Sequence, residues 1–384
     1  MATSSRNWHR NKNWSSFILR NYDPEASKRS LPTLEHLITL SDDAGVIQHA
    51  VEDVPNRSTG YCTDDVARAY MVVLAKLEVD PHDGVAKHLA QTYLSFLHDA
   101  QIDDGRFHNF MSYERTWLDA VGTHDSVGRA MWSLGYGMRY APRTSWRRIS
   151  KKLFDNALRS LDWLSYPRSQ AYAMIGLAHA CEAALRQAQD DKSGELVKYQ
   201  RSLRALADSL KQKYLDVRDA DWQWFENALT YDNARLSEAM LRAGLSLHDD
   251  ELVAIGLRTF QFYESVTIDG GIYVPVGNEG WYQRGGIKPK YSQQPLEATA
   301  LVDAALVAHD ATGDPAFRSS AQLGLDWYYG RNSRGIVMAR NGGCLDGLNE
   351  ASVNLNMGAE STLAYLASAY ALAARPAAAL SVAR

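Results

Sequence analysis

Cysteine is scarce in this chain of 384 residues, and the three that occur, Cys62, Cys181 and Cys344, stand far apart. They show no CxxC spacing, so the sequence predicts neither a disulfide framework nor a cysteine-based zinc site. Disulfide frameworks belong to oxidising compartments. The sequence therefore predicts a cytoplasmic protein without a bound metal.

Long apolar runs and a large excess of one charge are also missing. No stretch offers about eighteen uninterrupted apolar residues, and the first thirty residues contain no apolar signal segment. The formal charge is only −4, without a long basic block, which argues against a nucleic-acid partner held through phosphates. The glycine pairs at 270–271 and 342–343 lie in turns, so no nucleotide-binding loop is predicted. We expect no cofactor, no nucleic acid and no membrane partner; the sequence predicts no oligomeric state.

What the sequence does contain is a repeating pair of unlike helices. One member carries charge on one face, which is typical of a surface helix, whereas the other is poor in charge and rich in alanine and glycine, which is typical of a helix buried on all sides. Turns rich in aspartate and glycine, followed by short extended pieces, separate the two helices of each pair. The helical patterns cover 31–40, 66–77, 85–100, 127–140, 147–164, 169–186, 196–215, 234–247 and 250–263, and further helices run to Val307, from Pro315 to Tyr329 and to Leu372.

Six such pairs predict an all-α fold, an (α/α)6 toroid in which six outer helices surround six inner ones, with short β-hairpin-like pieces in the outer-to-inner loops. The alternative is an open α-solenoid, which also stacks helix pairs but has a tighter period and shorter connections than the outer-to-inner loops of roughly twenty residues found here. We expect one toroid domain over 31–375, an N-terminal arm over 1–30 and a C-terminal tail over 376–384.

Each inner helix is preceded by a polar segment, here called its mouth, of which Gly60-Tyr61-Cys62-Thr63-Asp64-Asp65 is the first along the chain. In a toroid all six inner helices begin at the same end, so we expect their mouths to share one cleft. Carboxylates accept hydrogen bonds from hydroxyl groups, and aromatic faces stack on sugar rings. A cleft lined by acidic and aromatic side chains is therefore suited to a neutral polyol. The residues predicted to line the cleft are Tyr61, Asp64, Asp65, His108, His124, Asp125, Trp222, Trp224, Glu226, Tyr231, Asp232, Trp281, Glu297 and Glu360.

This arrangement resembles the six-hairpin glycosidase superfamily, a group of (α/α)6 enzymes that act on oligosaccharides and polysaccharides, most of them by an inverting mechanism with two carboxylates. The resemblance covers 31–375 in architecture and rests on the alternation of helices and on the acidic mouths. It implies a carbohydrate-active enzyme, an inverting glycoside hydrolase with a small-molecule carbohydrate substrate. It assigns no catalytic residue by motif.

The roles of the carboxylates are instead predicted from their surroundings, since inverting hydrolysis needs one protonated acid and one ionised carboxylate. Glu226 follows three aromatic residues, whose apolar surroundings would raise its pKa, so it is the candidate acid. Asp65, Asp125 and Asp232 lie at helix starts, where the dipole favours the charged form, so they are the other catalytic candidates, although some could be simple N-caps.

The remaining cleft residues are assigned to substrate binding. For two of them a structural role is the alternative, namely pairing with a buried arginine such as Arg68, Arg129 or Arg235. The substrate-binding candidates are Tyr61, Asp64, His108, His124, Trp222, Trp224, Tyr231, Trp281, Glu297 and Glu360, and the structural alternative concerns the last two.

Two other functions stay open at this level. A sugar epimerase or isomerase of the N-acylglucosamine 2-epimerase type would need two histidines facing each other across the cleft, and His124, with His49 and His108 in loops, could supply them. A non-catalytic carbohydrate-binding protein would use the same aromatic and acidic side chains.

Overall fold

The computed structural model describes residues 30–187 and 194–375. The predicted C-terminal tail and, except for Ser30, the predicted N-terminal arm lie outside the described residues and stay predictions. No helix within the described ranges is long and apolar enough to cross a membrane.

Twelve α-helices form the described part of the chain, in the alternating order that the sequence predicts. The inner helices are α2 (Thr63–Val79), α4 (His124–Tyr140), α6 (Pro167–Gln187), α8 (Ala234–Leu247), α10 (Pro295–Thr312) and α12 (Ala359–Ala373). The outer helices are α1 (Glu35–Leu40), α3 (Gly84–Ala100), α5 (Thr144–Ala157), α7 (Glu195–Val217), α9 (Asp250–Thr267) and α11 (Pro315–Tyr328).

The inner helices form a closed ring. Each packs against the next along the chain, and the last, α12, packs against the first, α2. An open solenoid lacks such a contact between its two ends. The prediction of an (α/α)6 toroid is therefore confirmed. The outer helices from α3 to α11 each pack mainly on the inner helix that precedes them along the chain, so the ring carries the buried core.

Several helix ends follow from local capping. The Thr123 hydroxyl accepts the Ser126 N–H at the start of α4, and the Asp249 carboxylate accepts two N–H groups at the start of α9. The predicted helix over 147–164 was too long, because α5 ends at Ala157 and the chain continues as a 3₁₀ turn, Leu158–Trp163. There the Ser160 hydroxyl donates to the carbonyl of Ala157 at 2.7 Å.

Short strands lie in the outer-to-inner loops, as the hairpin-like patterns predict. The six antiparallel pairs join β1 (Ala50–Val51) to β2 (Val54–Pro55), β3 (Tyr61–Cys62) to β4 (Phe110–Met111), β5 (Ala228–Leu229) to β8 (Tyr282–Gln283), β6 (Ile268–Asp269) to β7 (Ile272–Tyr273), β9 (Ala339–Arg340) to β10 (Gly343–Cys344), and β11 (Gly347–Leu348) to β12 (Val353–Asn354). The pairs β3–β4 and β5–β8 tie together loops of different repeats, so they fix neighbouring mouths relative to each other.

Glycine lets two inner helices, α4 and α6, approach closely. A Cβ atom built at Gly176 would lie 2.5 Å from the carbonyl oxygen of Met131, and one built at Gly135 would collide with the carbonyl of Gly176. No side chain fits between these backbones. The abundance of small residues in the inner helices is thus a packing requirement.

We expect Gly135→Ala to lower the free energy of unfolding by about 1–3 kcal/mol, because the added methyl group would force the two helices apart. Gly84→Ala is the matched control, since a Cβ at Gly84 meets no atom within 4 Å. Urea denaturation followed by circular dichroism measures both. Equal stability of the two variants would contradict the close approach of α4 and α6.

Candidate active site at the mouths of the inner helices

The mouths of the inner helices meet at one end of the ring, as expected for a shared cleft. The hydroxyl of Tyr231, before α8, donates to Asp125 of α4 at 2.6 Å. The N–H of Asp232 donates to Glu297 of α10, and Arg68 of α2 donates to Glu360 of α12 at 2.8 Å. Residues far apart in the sequence are therefore neighbours in the cleft.

Arg68 holds three carboxylates together. It contacts Asp65 at 2.7 Å, Glu360 at 2.8 Å and Asp64 at 3.5 Å. The spacing of three and four residues along α2 places Asp64 and Asp65 on the same side of the helix as the guanidinium group. The side chains differ in access to solvent: Asp65 is 8% exposed, Asp64 23% and Glu360 36%.

Arg129 links this cluster to the opposite wall of the cleft. Its Nε atom lies 2.8 Å from Asp64, and its Nη2 atom lies 3.0 Å from Asp232. The hydroxyl of Tyr172 also donates to Asp232 at 2.7 Å. Asp64 consequently lies between two guanidinium groups, a surrounding that stabilises a carboxylate anion.

Asp232 is a fully buried anchor instead of an exposed catalytic group, which corrects its prediction as a catalytic residue. Besides Arg129 and Tyr172, it contacts Arg235 at 3.3 Å, and its backbone adopts a left-handed conformation with φ of 47°. Burial would raise the pKa of Asp232, but the charges of Arg129 and Arg235 outweigh it and hold the pKa below its usual value. No face of this carboxylate is open to a substrate.

The carboxyl groups at the cleft have unlike proton affinities. Burial raises the pKa of Asp65 to about 7, although Arg68 acts in the opposite direction. Burial also raises the pKa of Asp125, against the effect of the hydrogen bond from Tyr231. Burial alone would also raise the pKa of Glu360, but the charge of Arg68 outweighs this effect, so the pKa lies below its usual value. The cleft thus combines a carboxyl group that holds a proton near neutral pH with others that are ionised.

Glu226 does not lie in the aromatic pocket on which its assignment as the acid depended. Its carboxylate pairs with Arg168 at 2.6 Å and is 29% exposed. Trp222 donates its indole N–H to the backbone carbonyl of Glu226, but the ring is only 4% exposed, and Trp224 is fully buried. Both tryptophans belong to the core, which corrects their prediction as sugar-binding residues.

Tyr61 and Glu297 are also corrected, because their side chains are used inside the protein. Tyr61 is 1% exposed and its hydroxyl donates to Asp42 at 2.6 Å. Glu297 is 2% exposed and accepts hydrogen bonds from the amide of Asn233 and the hydroxyl of Tyr263. Glu360 does pair with Arg68, although its side chain is 36% exposed, whereas Glu297 accepts the backbone N–H of Asp232 in the α8 mouth.

The histidines of the cleft each stack on a tryptophan. His124 lies on Trp163 with ring centroids 3.8 Å apart, and His108 lies on Trp117 at 4.8 Å. The Nδ1 atom of His108 is 2.6 Å from the backbone carbonyl of Asp119, so it carries the proton of that hydrogen bond. Both rings are half-buried. Their positions suit contacts to a ligand at the rim of the cleft.

Trp281 is the one predicted aromatic platform that is broadly open to solvent, at 40% exposure. It precedes β8, which pairs with the strand leading to the α8 mouth. Its φ of 48° is unusual for a bulky side chain. Such conformations persist where the surroundings require them, often at binding sites.

Sequence reasoning missed two members of the site, Arg168 and Tyr172, on the inner helix α6. Nothing in the sequence marked them, since no acidic residue stands three or four residues before Arg168. A signal for the other arginines was present: an aspartate stands three or four residues before each of Arg68, Arg129 and Arg235. This spacing on a helix indicates ion pairs, and its recurrence on three of the six inner helices indicates that the pairs meet.

Comparisons with known proteins agree on the architecture. No protein-family model matches the sequence, and the search of curated proteins found no match. Among solved structures, cellobiose 2-epimerase from Spirochaeta thermophila is 12% identical, with 94% of this chain and 96% of that chain covered and a TM-score of 0.65. The GH76 α-mannanase from Bacteroides thetaiotaomicron is 11% identical, with 94% of both chains covered and a TM-score of 0.58.

A third similar structure is an α-1,6-mannanase of Salegentibacter sp., solved as an inactive variant with two consecutive aspartates changed to alanine and with α-1,6-mannotetrose bound. It is 11% identical, with 94% of this chain and 98% of that chain covered and a TM-score of 0.57. These similarities show the fold: the chain is an (α/α)6 toroid, as its resemblance to the six-hairpin glycosidase superfamily implies.

We expect Asp232→Asn to lower the free energy of unfolding by about 3 kcal/mol, because it leaves two buried guanidinium groups without their shared counter-charge. The folded-state pKa of Asp232 lies below the usual value of about 3.9, so its stabilising effect is present at neutral pH and is lost as the pH falls through that range. The variant should therefore lose less stability than the parent between neutral and acidic pH.

Asp43→Asn is the matched control, since Asp43 forms an exposed ion pair with Arg115, and exposed pairs contribute little. Urea unfolding at several pH values measures both variants. If Asp232→Asn were as stable as Asp43→Asn at neutral pH, Asp232 would not be the stabilising counter-charge of the two buried arginines.

Proposed function

We propose that the protein is a carbohydrate-active enzyme, a glycoside hydrolase that cleaves an oligosaccharide in the cleft formed by the mouths, by a retaining mechanism instead of the inverting mechanism that the sequence predicts. The observation that carries this proposal is the adjacent pair Asp64 and Asp65, two carboxyl groups in unlike surroundings at the start of α2. Both carboxylates contact the same Nη2 atom of Arg68, Asp65 at 2.7 Å and Asp64 at 3.5 Å. They are therefore closer together than the roughly 6.5 Å that an inverting pair needs to hold a water molecule, and this favours the shorter separation of a retaining pair.

The similar structures support this choice. These neighbours are enzymes that act on sugars, and one of them was solved as an inactive variant in which two consecutive aspartates are replaced. Among the described inner-helix mouths of this chain, only that of α2 contains two consecutive aspartates. Asp64 and Asp65 are the natural counterparts on this fold.

In the proposed reaction Asp65 is the general acid. It gives its proton to the glycosidic oxygen while the bond from that oxygen to the anomeric carbon breaks. Asp64, which lies between Arg68 and Arg129, attacks the anomeric carbon as that bond breaks and forms a covalent glycosyl ester. The deprotonated Asp65 then accepts a proton from a water molecule, whose oxygen attacks the anomeric carbon and releases Asp64. The products are a sugar with retained anomeric configuration and the released alcohol.

Other accessible side chains of the cleft would bind the sugar. Asp125 and Tyr231 form a hydrogen-bonded pair that is half-buried, and Glu360 and Glu226 are partly exposed beside their arginine partners. His108 and His124 offer imidazole groups at the rim, and Trp281 offers an exposed ring. Asp125 and Glu226, which the sequence predicts as catalytic residues, are thus proposed here as sugar-binding carboxylates.

We expect Asp65→Asn and Asp64→Asn each to reduce kcat at least about a hundredfold, the size of effect that follows loss of a general acid or of a nucleophile. The assay incubates the protein with α- and β-linked oligosaccharides and follows the products by proton NMR, which also reports the anomer released first. Asp43→Asn is the control at an exposed position. Parent-like rates in both cleft variants would remove the aspartate pair from the mechanism.

The pH profile gives a further test of the acid. Because Asp65 with a pKa of about 7 must be protonated to act, kcat/KM should fall as the pH rises through about 7. In Asp65→Asn this basic limb should disappear from the residual activity. A basic limb that persists unchanged in the variant would assign the acid to another residue.

Trp281 should act through binding. We expect Trp281→Ala to raise KM roughly fivefold with little change in kcat, because an aromatic face contributes stacking energy to the bound sugar. Ile287→Ala, at a position 94% exposed in the same loop, is the control for loss of an exposed apolar side chain. An unchanged KM in Trp281→Ala would place the substrate elsewhere in the cleft.

An epimerase is the second candidate, favoured by the similarity to cellobiose 2-epimerase. That reaction would use His108 and His124 to remove and return a proton at carbon. The two reactions differ in product: an epimerase run in deuterated water introduces deuterium into the sugar carbon and releases no shorter oligosaccharide. His124→Ala would then abolish activity, whereas the hydrolase requires the aspartates. A binding protein would give neither product.

A further inference from the structure

The inner ring encloses a second cavity, which is not part of the cleft. It has a volume of about 340 Å³ and is lined by side chains of all six inner helices. Arg68, Arg129 and Arg235, here called the arginine layer, line this cavity on one side and pair with carboxylates of the mouths on the other. We call the cavity the axial shaft.

The axial shaft runs from the arginine layer to the end of the ring opposite the mouths. On α2 its lining extends from Arg68 to Glu78, a rise of about 15 Å along a helix. At its far end it is lined by Tyr140, Asp310 and Arg375, of which Asp310 is exposed to solvent. The shaft is therefore reached from the opposite face of the protein.

The walls of the axial shaft are unlike each other. On α12, alanines at 364, 367 and 371 present a smooth apolar surface, continued by Ala75 of α2. On α4 and α6 the wall consists of larger side chains with polar atoms, including Trp132, Tyr136, Tyr140 and His179. Apolar surface facing a few fixed polar groups in a volume of this size is typical of a small-molecule site.

The charges of the lining are balanced internally. Arg235 pairs with Glu238 and Asp303, and Arg242 also pairs with Glu238. The remaining lining arginines each have a carboxylate partner as well: Arg68 with Glu360, Arg129 with Asp64, Arg139 with Glu182 and Arg375 with Asp310. No guanidinium group among the described lining residues is left for an anion, so the lining suits an uncharged ligand with polar atoms.

One buried polar group of this wall has no partner. His179 is 2% exposed, and its Nε2 atom has no hydrogen-bond partner among the described residues. Its Nδ1 atom lies 3.3 Å from Nη1 of Arg139, which can only donate, so the neutral ring carries its proton on Nε2. A buried donor without an acceptor is costly. The oxygen of a hydroxyl-bearing ligand would satisfy it.

We propose that the axial shaft is a second ligand site, which binds an uncharged, polyhydroxylated molecule of one or two sugar rings. The apolar faces of the rings would lie on the alanines of α12, and their oxygen atoms would accept the free N–H of His179 and meet the tyrosines of α4. This site does not depend on the reaction proposed for the mouths, because none of the mouth aspartates lines it.

The test measures binding with the full chain carrying Asp65→Asn, which stops turnover in the cleft. Isothermal titration calorimetry with D-glucose, D-mannose and cellobiose should show a binding event that Ala367→Phe abolishes, because the phenyl ring fills the shaft. Ala367→Ser is the matched control, since it keeps the space and should retain that event. His179→Phe, which keeps a ring of similar size but removes the donor, should weaken it at least about fivefold.

Binding of all three sugars that is unchanged by both Ala367→Phe and His179→Phe, or no binding at all, would overturn the proposal. Thermal melts of each variant identify any that fail to fold. If Ala367→Phe does not fold, the effect of His179→Phe on sugar binding alone tests the proposed site. The proposed hydrolysis is judged separately, because Ala367→Phe in the otherwise unchanged protein should retain it. If the protein hydrolyses no oligosaccharide but still binds a sugar in the axial shaft, that result would contradict the proposed function and not the second ligand site.

Discussion

The structure depends on three guanidinium groups buried at the centre of the inner ring. Burying an arginine is tolerable only if carboxylates surround it, and removing one partner from such a pair is strongly destabilising. Each has a partner from a distant part of the chain: Arg68 pairs with Glu360 of α12, Arg129 with Asp232 before α8, and Arg235 with Asp303 of α10. These ion pairs therefore fix the order and the rotation of the inner helices in the ring. Apolar packing alone would tolerate small rotations of a helix about its own axis.

The fold was predictable because its signal is repeated. The difference between charged outer helices and small-residue inner helices occurs in every pair, and the predicted order of twelve helices is confirmed. The errors lie at helix ends: the predicted helix over 147–164 contains a 3₁₀ turn after Ala157, and α10 runs to Thr312 instead of Val307. Ends depend on single capping and loop contacts, which a periodic pattern does not contain.

The site was less predictable, because residue type does not reveal exposure. Trp224 and Trp281 look alike in sequence, yet one is in the core and the other at the surface. The aspartates of the mouths illustrate the same point. Asp65 and Asp232 both begin inner helices, but one has a raised pKa and partial access, while the other is enclosed by Arg129 and Arg235. Their neighbours come from distant repeats, so local sequence could not separate an anchor from a reactive group.

Closure of the ring also sets the order in which the protein can assemble. The contact between Arg68 and Glu360 joins residues 292 positions apart, and contacts of such separation form late because a long loop must close first. During synthesis the first five inner helices can pack in sequence, but Arg68 lacks one of its counter-charges until α12 docks. Completion of the toroid and completion of its acidic cleft are therefore the same event, and a nascent chain that lacks α12 contains no finished site.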